Sequence, residues 1–200
     1  IVREVSNKKY ENLEGRSIKD IALTANVKPL DWLLDHSLSV NGMDTLFIAM
    51  LLNSDEKAVG KLLKHPRSNI ALSDAGAHLT FFNDAGYGLY MLQRWVRENK
   101  LMSIEEAIYN LTGKQADIYR IDQRGRLVPG QHADMMLLDP EEVSVSQSYR
   151  VNDLPGGGSR LNIDGRGIKG VWVNGQRVLE DGNLINKTEF PGKVIRGFHA

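Results

Sequence analysis

The sequence predicts an α/β part followed by a mostly β part, and three observations carry that reading. Between residues 46 and 74 a short apolar run, an amphipathic helix and a second short apolar run follow one another. From residue 87 to about 119 the apolar side chains recur at helical spacing. Beyond Arg124 the punctuation changes to Gly, Pro and Asn-Gly turns between strand-length segments. A chain of 200 residues suits one ordinary domain, or a larger one cut short, and can bury a substantial core.

In order along the chain, Ser17 is placed to cap a helix, with Asp20 three residues on and Ile18, Ile21, Ala22 and Ala25 on one face. Pro29 stands where a first helical residue would, and Leu30, Leu33, Leu34 and Leu38 follow at helical spacing. Residues 46–52 are short, continuous and apolar, as in a strand buried on both faces. Ser54, Asp55 and Glu56 open a helix with Ala58, Val59, Leu62 and Leu63 inward. Lys61 and Lys64 complement its negative end, and His65-Pro66 stops it. Residues 69–73 read as a second buried strand, ending at Asp74. Strand, helix, strand is the unit of a parallel α/β sheet or barrel.

Residues 87–99 predict a helix with Met91, Leu92, Trp95 and Val96 inward. Ser103 and Glu106 form a capping box for a helix to about Leu111, and a short helix covers 114–119. Residues 135–138 are a strand stopped by Asp139-Pro140. Residues 168–173 and 176–179 form a hairpin about Asn174-Gly175, with a second turn at Asp181-Gly182. Residues 153–159, with Pro155 and three consecutive glycines, predict a long loop.

Composition narrows the function classes. Hydrophobic residues are 42% and charged residues 25%, the mix of a soluble globular chain. Twenty-five Lys and Arg balance 25 Asp and Glu, so no net field steers the protein to nucleic acid or anionic lipid. Zero cysteines exclude a disulfide framework, a thiolate metal site and a Cys nucleophile. Apolar runs fall far short of the roughly 20 residues of a membrane span. Residues 1–9 are mixed polar, unlike a secretory leader. The expectation is a soluble, cytoplasmic protein with no nucleic-acid or membrane partner. The opening Ile1, in place of Met, predicts that the natural gene product is longer.

The strongest chemical constellation is Ser73-Asp74-Ala75-Gly76-Ala77-His78. In parallel α/β folds, active sites lie beyond the carboxyl ends of strands, where Asp74 falls. A carboxylate there can bind a cation, take a proton from a metal-bound water and return it to a leaving group. Gly76 allows close backbone approach. His78 could bind a metal, contact substrate or orient Asp74. The plainer reading, Asp74 capping a loop and His78 in a satisfied polar contact, stands beside it. His36 and His65 read as surface or helix-end residues, His132 as a loop residue and His199 as part of a terminal tail. No His-x-His or His-Glu-x-x-His spacing occurs, so a complete metal site is not legible.

Gly165, Gly167 and Gly170 match a GxGxxG pattern by letter, but strand-like Val171-Trp172-Val173 follows where a phosphate-binding helix would have to begin. These glycines read as turns between strands. The 156–160 loop, with Arg160, could cradle an anion, although a flexible or packed connection is the simpler reading. There is no Gly-x-Ser-x-Gly elbow. Trp32, Trp95 and Trp172 read as core.

Taken in order, SDAGAH (73–78), YGLYMLQRWVRE (87–98), SIEEAIYNLT (103–112), RGRLVPG (124–130), ADMMLLDP (133–140), DLPGGGSR (153–160) and VWVNG (171–175) form a recognisable set. The set resembles the C-terminal part of an N-acyl-D-amino-acid deacylase of the D-aminoacylase-like branch, in the metal-dependent amidohydrolase superfamily. The resemblance implies residues 1–123 as the last βα units and C-terminal helices of a (β/α)8 TIM barrel, and residues 124–200 as part of a small β domain plus tail. It implies Asp74 as metal ligand and general base, then acid toward the departing amine, with His78 at the substrate pocket. It also implies zinc in a full-length parent and a small-molecule N-acyl amino acid as substrate. The family's earlier metal-binding histidines have no counterpart here, so the chain alone is expected to be inactive. Two strands cannot close a barrel, and self-association through uncovered strand edges is a further expectation. A cyclic amidohydrolase acting on hydantoin-like or lactam rings, and a non-catalytic folding or assembly module, are the alternatives.

Overall fold

A computed structural model describes residues 1–39, 44–185, 188 and 190–196. It divides into two compact units, Ile1–Val59 and Gly60–Ala200. The first unit holds β1 (Val2–Glu4), a 3-10 turn (Lys8–Leu13), α1 (Ile18–Ala25), α2 (Pro29–Ser39), β2 (Leu46–Phe47) and the first residues of α3 (Glu56–Lys64). Ser17 caps α1 as expected: its Oγ accepts from the Asp20 N–H at 3.0 Å and donates to Asp20 Oδ2 at 2.6 Å. Val2, Ile21 and Ala22 are buried.

Two expectations fail in this unit. The run 46–52 supplies only a two-residue strand, paired antiparallel with β1, Val2 opposite Phe47. Met50, Leu51 and Leu52 are exposed, Leu52 at 85%. On α2 the leucines at 30, 34 and 38 are exposed, while His36, expected at the surface, is buried at 5% exposure. Aromatic neighbours explain the reversal. Trp32, one turn earlier, stacks on the His36 ring at 4.7 Å, and Tyr10 meets it edge-on at 4.8 Å. Thr45 Oγ1, itself buried, is 3.1 Å from Nε2, so the imidazole enters the core with a hydrogen-bond partner.

Burial lowers the His36 pKa from the ordinary 6.5, because desolvation penalises the imidazolium. The unfolded chain then binds more protons than the folded one between the two values, so stability rises with pH there. The contribution of neutral His36 is complete above about pH 6.5 and is lost as pH falls through the lower folded-state value. The first unit is therefore expected to melt at a lower temperature at pH 5 than at pH 7.5. Thermal melts followed by the Trp32 indole N–H signal in NMR spectra check this, and the His36→Gln variant should flatten the dependence.

In the second unit, Gly60 of α3 lies where an added Cβ would stand 3.3 Å from Leu101 Cδ1, which accounts for the small residue. Residues 69–73 are irregular, with Leu72 at 84% exposure. The parallel strand-helix-strand unit is thus not formed among the described residues. A parallel strand needs ladder partners on its flanks; here helix side chains take the carbonyls instead. Lys114 Nζ donates to the Ser68 carbonyl at 2.6 Å and Gln115 Nε2 to that of Ile70 at 2.8 Å.

The helical stretch begins with α4 (Tyr87–Tyr90) and continues as a π-helix (Met91–Glu98), burying Met91, Leu92 and Trp95. Next come α5 (Ile104–Leu111) and α6 (Gly113–Tyr119). The expected capping box of α5 is complete, Ser103 Oγ accepting from the Glu106 N–H and Glu106 Oε2 from the Ser103 N–H.

The β part contains β3 (Met135–Leu138), β4 (Ser144–Val145), β5 (Tyr149–Val151), β6 (Arg160–Asn162), β7 (Gly165–Arg166), β8 (Ile168–Val173), β9 (Gln176–Glu180) and β10 (Asn183–Leu184). One sheet runs β10-β9-β8-β3, antiparallel throughout. The pairs β4-β7 and β5-β6 are separate two-stranded sheets. Both expected hairpin turns are present, with positive φ at Asn174 and Gly175 and again at Asp181 and Gly182. Arg97 ties the π-helix to this part, its Nη1 donating to the Val143 carbonyl at 2.7 Å and that of Pro140 at 3.0 Å. Val143 and Leu161 are buried.

Candidate functional site

The Ser73–His78 segment is a series of tight turns. Ser73 Oγ accepts from the Ala75 N–H at 3.1 Å, and the Asp74 carbonyl accepts from the Ala77 N–H at 3.2 Å. Asp74 adopts φ +55, a left-handed conformation that a short polar side chain tolerates, and Gly76 follows at φ +93. Asp74 and His78 are both exposed on this one loop. The His78 ring stacks on Phe81 at 4.9 Å, and its carbonyl accepts from the Phe81 and Phe82 N–H groups.

The other histidines do not join them. His36 lies in the first unit's core, and His65 Nδ1 accepts from the Arg67 N–H at 3.2 Å just beyond α3. His132 is half-buried, and its backbone N–H donates to the Gln123 carbonyl. His199 lies outside the described residues. Among the described residues no three His, Asp or Glu side chains converge as a metal site would need.

A groove of roughly 380 Å³ opens beside the Asp74 loop. Leu72 and Ser73 form one wall, Tyr87 and Tyr90 of α4 another, and Val145 and Ile163 close it from the β part. Gly86 permits the closure, because a Cβ there would stand 2.6 Å from Val145 Cγ1. Asp84 also lines the groove. It is placed by its buried neighbour Asn83, whose amide donates to the Leu161 carbonyl at 3.0 Å and whose Oδ1 accepts from the Ala85 N–H. Although Asp84 stays open to solvent on one side, loss of water in the groove raises its carboxyl pKa above the ordinary 3.8. Sequence reasoning misses Asp84, which falls in a Gly-punctuated loop. One signal is available there: Asp84-Ala85-Gly86 repeats the triplet Asp74-Ala75-Gly76 ten residues on.

The glycine-rich loop does not offer a free cation. Arg160 is engaged bidentately by Asp153, at 2.7 Å on both oxygens, and those hydrogen bonds hold the Asp153 carboxyl below its usual range. The Asp153–Arg160 fork makes 153–160 a pinned connection. The GxGxxG letters likewise fall on β7, a φ +74 turn at Gly167, and β8.

The chain belongs to the amidohydrolase family, whose sequence pattern matches residues 16–179. Within that family its similarity runs to the D-aminoacylase-like enzymes. It is 32% identical over 143 residues to the N-acyl-D-aspartate deacylase of Alcaligenes xylosoxydans xylosoxydans, covering 70% of this chain and 26% of that one. It is 26% identical to the N-acyl-D-glutamate deacylase of the same organism, covering 74% of this chain and 28% of that one. Among solved structures, the N-acyl-D-glutamate deacylase of Bordetella bronchiseptica, determined with zinc and a phosphonate inhibitor, matches with a TM-score of 0.47 and 23% identity. That match covers 92% of this chain and 36% of the other. The chain therefore spans about a quarter to a third of the length of these proteins. No helix among the described residues is long and apolar enough to cross a membrane.

Proposed function

We propose that this chain is the C-terminal part of a cytoplasmic deacylase that hydrolyses the linear amide bond of N-acyl-D-amino acids. Residues 1–123 belong to its (β/α)8 barrel and residues 124–200 to its small β domain. The observation that supports the reading best is the 32% identity to an N-acyl-D-aspartate deacylase, which runs over 70% of this chain. Asp74 is the catalytic residue. Its carboxylate takes a proton from the attacking water and hands it to the departing amine, and His78 lies at the substrate end of the same loop.

Zinc, which the family resemblance implies, is not fitted by the described residues alone. A catalytic zinc takes three protein ligands and keeps one open position, whereas Asp74 belongs to no cluster of three such ligands among the described residues. No step is therefore assigned to a metal held by this chain, and the chain alone is inactive. Elemental analysis after exhaustive dialysis tests this: near-zero zinc is expected, and close to one tightly held ion per chain would overturn it. Assay of the longer protein against N-acetyl-D-amino acids tests the reaction itself, and absence of amide hydrolysis would sink the reading. The exposed Leu51, Leu52 and Leu72 favour a second reading, an assembly module that buries these residues against other protein. Sedimentation as a clean monomer would count against it.

A further inference from the structure

The groove beside the Asp74 loop carries an unbalanced charge. Its lining is apolar and aromatic, and Asp84 is the charged group on it; no Lys, Arg or His belongs to the described lining. Asp84 is also without a side-chain hydrogen bond or ion pair among the described residues. Four carboxylates elsewhere in this unit are ion-paired, Asp117 with Arg126, Asp134 with Arg124, Glu142 with Lys169 and Asp153 with Arg160, and Asp84 has no such partner on the groove. Asp84 is solvent-exposed at the edge of this apolar and aromatic groove, so its carboxylate is open to a charge-assisted hydrogen bond from a cationic group seated there. Tyr87 and Tyr90 present aromatic rings on the same groove, surfaces that favour a cationic head and an alkyl stem. An acidic side chain would meet repulsion from Asp84 instead.

We propose that this groove is a side-chain subsite for basic N-acyl amino acids, with Asp84 as counter-ion to an ammonium or guanidinium group. The substrate class rests on the deacylase reading above; the cation site itself rests on the groove. It separates this chain from the two Alcaligenes relatives, whose names specify aspartate and glutamate.

The test is binding to the 200-residue chain, followed by NMR shifts at the backbone amides of residues 84–90. The probes are N-acetyl-D-lysine, its neutral analogue N-acetyl-D-norleucine, N-acetyl-D-glutamate and n-pentylammonium. N-acetyl-D-lysine is expected to bind at least about tenfold more tightly than the norleucine compound, with the glutamate compound weakest. Asp84→Asn should erase the lysine preference, and backbone amide signals outside residues 84–90 at their wild-type positions show that the variant is folded. Equal binding of lysine and norleucine compounds, or a preference that survives Asp84→Asn, overturns the proposal. So does the absence of saturable shifts with every probe. Asp84-dependent binding of n-pentylammonium without binding of any N-acetyl amino acid would overturn the substrate class and keep the cation site, while the deacylase reading stands or falls separately on the assay of the longer protein.

Discussion

Asp74→Asn in the longer protein is expected to lower kcat for N-acyl-D-amino acid hydrolysis by about 10²- to 10⁴-fold, with KM changed far less. Asparagine keeps the shape and can still accept a hydrogen bond, but it cannot hold and return a proton. Within the Ser73–His78 turns, Asp74 is the sole carboxylate, so no neighbour on that loop can take over proton transfer. The left-handed backbone at Asp74 is also one that asparagine tolerates, so the substitution leaves the loop's fold intact. Steady-state kinetics with a far-UV spectrum as a folding control checks the result. A loss of less than about fivefold would remove Asp74 from the chemistry and leave it a turn residue.

The second large effect is structural. Gly167→Ala is expected to destabilise the second unit by roughly 2–4 kcal/mol, through positive-φ strain and overpacking together. At φ +74 an L side chain is strained whatever the space, and here the space is also filled. The added Cβ would stand 2.5 Å from Val143 N and 2.8 Å from the Glu142 carbonyl carbon. Those are backbone atoms that cannot rotate aside, and Val143 is 1% exposed. Gly165→Ala should cost less, because its Cβ would meet the flexible end of Leu89, at 2.6 Å. Urea unfolding of both variants decides the matter. An unchanged midpoint for Gly167→Ala would contradict this account. The third glycine, Gly170, is required because a Cβ there would stand 2.6 Å from the Trp172 ring. The letters of a dinucleotide motif thus arise from three separate close approaches between strands and their neighbours.

Much of the local structure was legible in the sequence because it rests on contacts within a few residues. The Ser17 cap, the Ser103–Glu106 capping box and the Asn174-Gly175 and Asp181-Gly182 turns all appear where expected. Each is a bond or a φ preference set by neighbours in the chain. The amphipathic 87–98 stretch also buries the face its spacing predicts, although it winds as a π-helix after Tyr90. The loop holding Asp74 and His78 was legible as a motif, and its turns are local as well.

Apolar character alone did not decide where the runs 46–52 and 69–73 would go. Their composition asks for burial, but burial and strand pairing need partners far away in sequence, and the described residues supply only β1 for Leu46–Phe47. The carbonyls of Ser68 and Ile70 turn instead to Lys114 and Gln115, 46 and 45 residues away. Helical spacing puts Trp32 beside His36, but His36 enters a core because Tyr10 and Thr45, from outside that helix, also converge on it. The groove at Asp84 likewise exists only because residues near 72, 87, 145 and 163 come together. Sequence by itself determined the caps, the turns and the family; the tertiary structure decided which apolar and ionisable side chains met, because those encounters are long-range and depend on which partners are present.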